Sequence, residues 1–150
     1  MGYYVRPLTA DHGQQIALWR YPGPWAVYDS AGPPDPTEGY WAVVDDADEL
    51  IGFACFGTEA RVSGMAEQLG TLDVGVGIRP ELTGQGRGQM FSEAVLAHGR
   101  DHTGASVFRA VVQDWNQRSV RLLHSLGFER TGTHPVPAQG KTYVVMERPI

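Results

Sequence analysis

Three glycines at every second position, Gly84, Gly86 and Gly88 in Thr83-Gly84-Gln85-Gly86-Arg87-Gly88, separate a strand-like run from a helix-like run. No other feature restricts the architecture of the chain as much. Ahead of them, Thr71-Leu72-Asp73-Val74-Gly75-Val76-Gly77-Ile78 alternates apolar with small or polar residues until Arg79-Pro80 ends the pattern. Behind them, Met90, Phe91, Ala94, Val95, Ala97 and His98 fall at helical spacing, and the helix stops near Gly104, ahead of a strand over 107–112. A strand, turn, helix, strand unit predicts layered α/β architecture with a parallel pair at its centre. The first turn of the helix carries backbone N–H groups without intrahelical partners, at the positive end of the helix dipole, and glycines let an anion approach them closely. Two familiar phosphate motifs fail here. A P-loop needs Lys and then Ser or Thr after its second glycine, whereas Gly88 is followed by Gln89-Met90; a G-x-G-x-x-G fingerprint fails because Gly84-Gln85-Gly86 is followed by Gly88. Glycine-rich turns also occur without ligands, so the hexapeptide alone leaves both readings open.

The remaining segments extend the pattern. Tyr3 to Arg6 reads as a first strand, and Thr9 with Asp11 opens a helix through Ile16, Ala17 and Trp19. From Pro22 to Gly39 the composition breaks regular structure, predicting a long ordered loop with one helical turn. Two strands over 40–44 and 50–56, joined by the acidic turn 45–49, form a hairpin, and 63–70 is a surface loop. A second long helix runs from Asn116 to Gly127, which takes the left-handed capping position. The segments 128–133 and 142–146 read as a closing strand pair, with Pro135 and Pro137 in the loop between and the first and last strands flanking the central parallel pair. The predicted class is α/β, a mixed central sheet of about six to seven strands with flanking helices. At 150 residues the chain is the length of one domain, 1–150.

Charge and cysteine usage narrow the function. With 12 Lys+Arg against 17 Asp+Glu the net charge is -5, which offers no field for a phosphate backbone, so nucleic acid is not an expected partner. Cys55 is the only cysteine, which excludes an internal disulfide, and in an apolar strand it reads as a buried thiol. No apolar run reaches the length of a membrane span, the opening residues lack a charged-then-apolar leader, and Arg6 stands where a Met1-Gly2 myristoylation signal needs Ser or Thr. The expectation is a cytoplasmic protein without membrane association. His98 and His102 have a spacing a metal could use, but no third ligand is identifiable and no metal is expected.

The stretch Ile78-Arg79-Pro80-Glu81-Leu82-Thr83-Gly84-Gln85-Gly86-Arg87-Gly88 resembles the acyl-CoA motif of the GCN5-related N-acetyltransferase (GNAT) superfamily, [R/Q]-x-x-G-x-[G/A] after a strand ending in V-x-P-E. That superfamily also places an Asn some 30 residues on and Gly-Phe eleven positions later, as Asn116 and Gly127-Phe128 stand here. The strand order is similar along nearly the whole chain, and Asp73-Val74-Gly75-Val76-Gly77-Ile78 looks like the branch of ribosomal-protein acetyltransferases.

The resemblance implies an N-acetyltransferase using acetyl-CoA as acetyl donor, with a small-molecule or peptide amine as acceptor and a homodimer as the candidate assembly. It implies that Val76, Gly77 and Ile78 pair through their backbone with the pantetheine arm, that the Val76 N–H faces the thioester carbonyl, and that Gly84, Gln85, Gly86, Arg87, Gly88 and Gln89 cradle the pyrophosphate. Asn116 would hold the pantetheine. Two departures stand out: Thr83 replaces the motif's Arg or Gln, and Leu123 occupies the position where the superfamily often has a tyrosine that protonates the leaving thiolate. His124 is adjacent but a quarter turn away. Asp73 is the candidate for taking the amine's proton through water or anchoring a cationic acceptor. Trp25, Tyr28 and Tyr40 are candidates for the acceptor wall, with Glu59 and Arg61 at its mouth or as an ordinary surface pair. The missing tyrosine supports one other class, a non-catalytic acyl-CoA-binding module.

Overall fold

The computed structural model describes residues 2–150; Met1, and with it the first position of the Met1-Gly2 signal, lies outside them. The element order is β1 (Tyr4–Pro7), α1 (Ala10–Leu18), β2 (Tyr40–Val44), β3 (Leu50–Phe56), β4 (Thr71–Ile78), α2 (Gly88–Asp101), β5 (Val107–Gln113), α3 (Gln117–Ser125), β6 (Glu129–Val136) and β7 (Lys141–Pro149), with short 3-10 turns between. The strands form a seven-stranded sheet in the order β1-β2-β3-β4-β5-β7-β6. β4 and β5 are parallel, whereas β1 with β2, β2 with β3, β5 with β7 and β6 with β7 are antiparallel, so the sheet is mixed. No described helix is long and apolar enough to cross a membrane.

The backbone divides into two units, the first running to Cys55 and adding Val76–Val95, the second comprising Phe56–Gly75 and Leu96–Ile150. In the first, Thr9 caps α1 as its composition predicts. The hydroxyl accepts from the His12 N–H at 3.1 Å and His12 Nδ1 accepts from the Thr9 N–H at 3.1 Å. One face of α1 then delivers Ile16 and Trp19 to a core with Leu8, Ala42 and Leu50, against which Tyr40 and Phe53 pack. The long loop contains one 3-10 segment, Gly23–Tyr28. Gly52 and Gly77 are set by space: a Cβ at Gly52 would overlap the Gly77 carbonyl oxygen and the Phe91 ring, and one at Gly77 would overlap the Phe53 ring. Only glycine lets the end of β4 lie this close to β3.

In the second unit the parallel ladder runs Thr71↔Val107, Leu72↔Phe108 and Asp73↔Arg109. Phe108, Phe128, Val144 and Met146 are buried here. The last turn of α3 closes with Gly127 at φ +91°, the Gly127 N–H donating to His124 O and the Phe128 N–H to Leu123 O, the bond pair of a Schellman cap.

Two expectations need correction. The last strand does stand beside the central parallel pair, as β7 next to β5, but the first does not: β1 takes one edge of the sheet, with β2 and β3 between it and β4, and β6 takes the other edge. Pro135 is not in a loop either, but sits within β6 opposite Thr142. An edge strand tolerates a residue without an N–H, because one of its sides has no ladder to complete.

Candidate functional site

In the first unit the glycine turn is built as its sequence demands. Gly84 (φ +73°) and Gly86 (φ +75°) adopt left-handed conformations that side chains rarely accept. The first α2 bond of this region is Phe91 N–H to Arg87 O at 3.1 Å, so the N–H groups of Gly88, Gln89 and Met90 precede any i−4 partner. Gly84, Gln85, Gly86 and Gln89 are exposed, with Arg87 and Gly88 half-buried. This is an accessible row of backbone donors at a helix N-terminus, suited to an anion. Thr83, the departure from the motif, acts locally, because its hydroxyl donates to Pro80 O at 2.8 Å and closes the turn Pro80–Leu82.

The end of β4 precedes this turn. The Arg79 N–H donates to Ile51 O at 2.8 Å, which fixes that edge of the strand against β3. Val76 is 45 % exposed. The Ile78 carbonyl accepts from the Tyr21 hydroxyl at 2.7 Å, while the Tyr21 N–H is held by Asp29 at 2.8 Å. Burial pushes the Tyr21 phenol up to about 12, with the negative charges of Asp29 and Glu81 adding to the shift. Sequence reading missed Tyr21, because nothing local to Tyr21-Pro22-Gly23-Pro24 marks a residue that reaches strand β4. Trp25 and Tyr28 lie in the 3-10 segment of the same unit, and Tyr28 is 41 % exposed.

In the second unit Asp73 is not the water-linked carboxylate expected. It is 2 % exposed, and its oxygens accept from Arg109 Nε (2.6 Å), Arg109 Nη2 (3.1 Å) and Arg61 Nη1 (2.9 Å). A carboxylate clasped by two guanidiniums has its lone pairs already directed at donors. Arg61 is likewise corrected from a surface residue to a partner of Asp73, and its Nη2 also donates to Thr58 Oγ1 at 3.0 Å. Arg109 was missed although a signal existed. It is the one charged residue in Val107-Phe108-Arg109-Ala110-Val111, and the parallel register sets it opposite Asp73. Glu59 is exposed on the 3-10 turn Gly57–Ala60.

Asn116 caps α3, its Oδ1 accepting from the Ser119 N–H at 3.2 Å, and is 3 % exposed. Leu123 is half-buried in α3, and His124 is exposed with Nδ1 at 3.2 Å from Phe128 O, so it belongs to the helix terminus. His98 and His102 stack at 4.1 Å between ring centroids; burial, then the charge of His102, holds His98 below the ordinary imidazole range. Among the described residues no group of three His, Cys, Asp or Glu side chains converges on a metal position. Cys55 is buried.

A seven-stranded mixed sheet with a glycine-rich strand-to-helix turn after its central parallel strand defines an α/β acyltransferase fold. The chain belongs to the acetyltransferase (GNAT) domain family, which it matches over residues 4–129. It is 31% identical over 104 residues to an L-methionine sulfoximine/L-methionine sulfone acetyltransferase of Pseudomonas paraeruginosa. It is 30% identical over 129 residues to a mycothiol acetyltransferase of Salinispora tropica. These alignments cover 68% and 83% of this chain but 58% and 39% of the relatives, so the chain spans well under two thirds of their length. Among solved structures, AAC(6')-Ib in complex with paromomycin and acetyl-CoA superposes with a TM-score of 0.78 at 16% identity, covering 99% of this chain and 94% of that one. A GNAT-family acetyltransferase from Bacillus anthracis superposes at 0.75 and 14% identity, covering 99% and 95%. At such identities these structures support the fold.

Proposed function

We propose that residues 1–150 form a single acetyl-CoA-dependent N-acetyltransferase domain that transfers an acetyl group to the primary amine of a small molecule by direct attack on the thioester. The observation that carries this reading is the exposed row of backbone donors from Gly84 to Gln89, in a chain of the GNAT family. Superposable structures hold acetyl-CoA or coenzyme A, which supports that donor. In this reading Gly84, Gln85, Gly86, Arg87, Gly88 and Gln89 receive the pyrophosphate. Val76, Gly77 and Ile78 offer their backbone to the pantetheine, and the Val76 N–H stabilises charge developing on the thioester oxygen. Tyr21 fixes the last carbonyl of that strand. Asn116 supports the pantetheine by fixing the start of α3.

Catalysis on this reading rests on proximity and on the oxyanion donor. No titrating side chain is assigned to either proton transfer. Leu123 cannot donate a proton, and a CoA thiol, with a pKa of about 8.5, leaves as thiolate and collects its proton from water. Asp73 acts as the anchor of Arg61 and Arg109, and the amine loses its proton to solvent. The acceptor is a small amine, a reading supported by the names of the two relatives and by the paromomycin complex. Trp25, Tyr28 and Glu59 remain candidate acceptor contacts, and the place of action is the cytoplasm, where acetyl-CoA is available. The likeness to ribosomal-protein acetyltransferases rests on the β4 sequence alone and does not set the acceptor.

The combination of Leu123 with a fully engaged Asp73 favours a second reading, a non-catalytic acyl-CoA-binding module. Thiol release from acetyl-CoA with a panel of amines separates the two. Acceptor-dependent release supports the transferase, whereas CoA binding without release from any amine supports the module.

A further inference from the structure

Within the second unit a cavity of about 360 Å³ is lined by the loop 64–68 and by Arg109 of β5, Thr133 and His134 of β6 and Val145 of β7. Its size is at the small end of the range for ligand sites, about 300–1,000 Å³. The wall is tied in place from two sides. Arg109 Nη2 donates to Ala66 O at 2.9 Å and Nη1 to Gln68 Oε1 at 3.0 Å, while His134 Nε2 lies 2.8 Å from Ser63 O. The loop is therefore held over the sheet before any ligand arrives.

Asp73 is one carboxylate shared by the guanidiniums of Arg109 and Arg61, in a cluster whose side chains are 2 %, 11 % and 14 % exposed, and Glu147 stands opposite Arg109 in the register of β5 and β7. Arg109, which lines the cavity, has five N–H donors, and its four hydrogen bonds leave one Nη1 hydrogen over. An anion there would gain a charge-assisted bond. Opposite in sign, Glu67 lines the same cavity and is exposed, and Met65 and Val145 give it an apolar part. The ligand this describes carries an oxyanion, a cation and a short apolar arm.

We propose that this cavity binds a small zwitterion of amino-acid type, its carboxylate received by Arg109, its ammonium by Glu67 and its side chain by Met65 and Val145. The zwitterion can be the acetyl acceptor or a regulator that is not itself acetylated; the first alternative rests on the transferase reading and the binding site does not.

The test uses the purified chain without acetyl-CoA and three probes of matched shape: L-leucine, L-leucinamide and 4-methylpentanoate. Titration calorimetry is expected to show saturable L-leucine binding, with each probe that lacks one charged group weaker by about tenfold or more. Glu67→Gln should weaken L-leucine and leave 4-methylpentanoate unchanged. Met65→Trp, a larger ring at the loop position that receives the ligand's side chain, should fill the cavity and abolish L-leucine binding while thermal unfolding stays as in the parent chain. Equal affinity for the three probes, no saturable binding, or binding that survives Met65→Trp overturns the proposal. With acetyl-CoA added, N-acetyl-L-leucine formation that Met65→Trp removes makes the zwitterion the acceptor. L-Leucine that binds without being acetylated makes it a regulator. Absence of thiol release with every amine rejects the transferase reading and leaves the binding result standing.

Discussion

A phenol in the first unit, Tyr21, and a carboxylate in the second, Asp73, are each held by partners distant in sequence. Tyr21 keeps its proton because the Ile78 carbonyl needs a donor and the surroundings are buried and negative. The folded phenol sits at about 12 against an ordinary value near 10, so the native state binds more protons between these pH values. The resulting stabilisation is present below about pH 10 and is lost as pH rises toward 12. Urea unfolding between pH 8 and 11.5 should therefore show a fall in stability at the alkaline end, and Tyr21→Phe should flatten that part of the profile. A parent and variant that decline in parallel would remove Tyr21 from the explanation. For Asp73 the geometry predicts a structural penalty. Asp73→Asn leaves two guanidiniums without their carboxylate and should cost about 3–5 kcal/mol of stability, the range for breaking a buried ion pair. If equilibrium unfolding finds the variant as stable as the parent while kcat/KM drops by about 10² or more, Asp73 is a general base after all. Sequence alone named Asp73 but not its condition, because Arg61 is twelve residues away and Arg109 thirty-six.

At the scale of elements the local code was legible. Thr9 capping α1, the 3-10 turn in the Pro-rich loop, the β2–β3 hairpin and the Gly127 terminus of α3 all stand where propensity and turn chemistry put them. Asn116 illustrates a residue with two duties, since its Oδ1 caps α3 whatever else it touches. Asn116→Ala should destabilise the CoA-free chain by about 0.5–2 kcal/mol. Asn116→Asp, which keeps a capping oxygen, should recover most of it. Chemical denaturation of the three proteins checks this. A rise in the KM for acetyl-CoA in both variants would add the pantetheine role, because Asp restores the cap but not the amide. The placement of β6 was less legible. Pro135 argued for a loop, and only the knowledge that β6 is an edge removes the objection.

For the molecule as a whole, cofactor binding and stability are linked. Ligand at a hundred times its Kd adds about 2.7 kcal/mol. For a chain of this length that is about 5–10 °C in Tm. Saturating CoA should produce a shift of this order in calorimetry, and Gly86→Val should abolish it. A Cβ at Gly86 meets nothing within 4 Å, so the variant acts by forcing a β-branched residue out of φ +75° and reshaping the turn, not by a clash. An undiminished shift in the variant would remove the glycine turn from the cofactor site. The sequence by itself determined the periodicities, the caps and the glycine turn, because these depend on residues within a few positions of one another. It therefore carried the α/β class and the anion-binding segment. Tertiary structure decided that Tyr21 meets Ile78, that Asp73 is shared by Arg61 and Arg109, and that β7 enters between β5 and β6. These depend on which strands become neighbours and in what register, and burial then converts a charged side chain from a reactive group into a structural one.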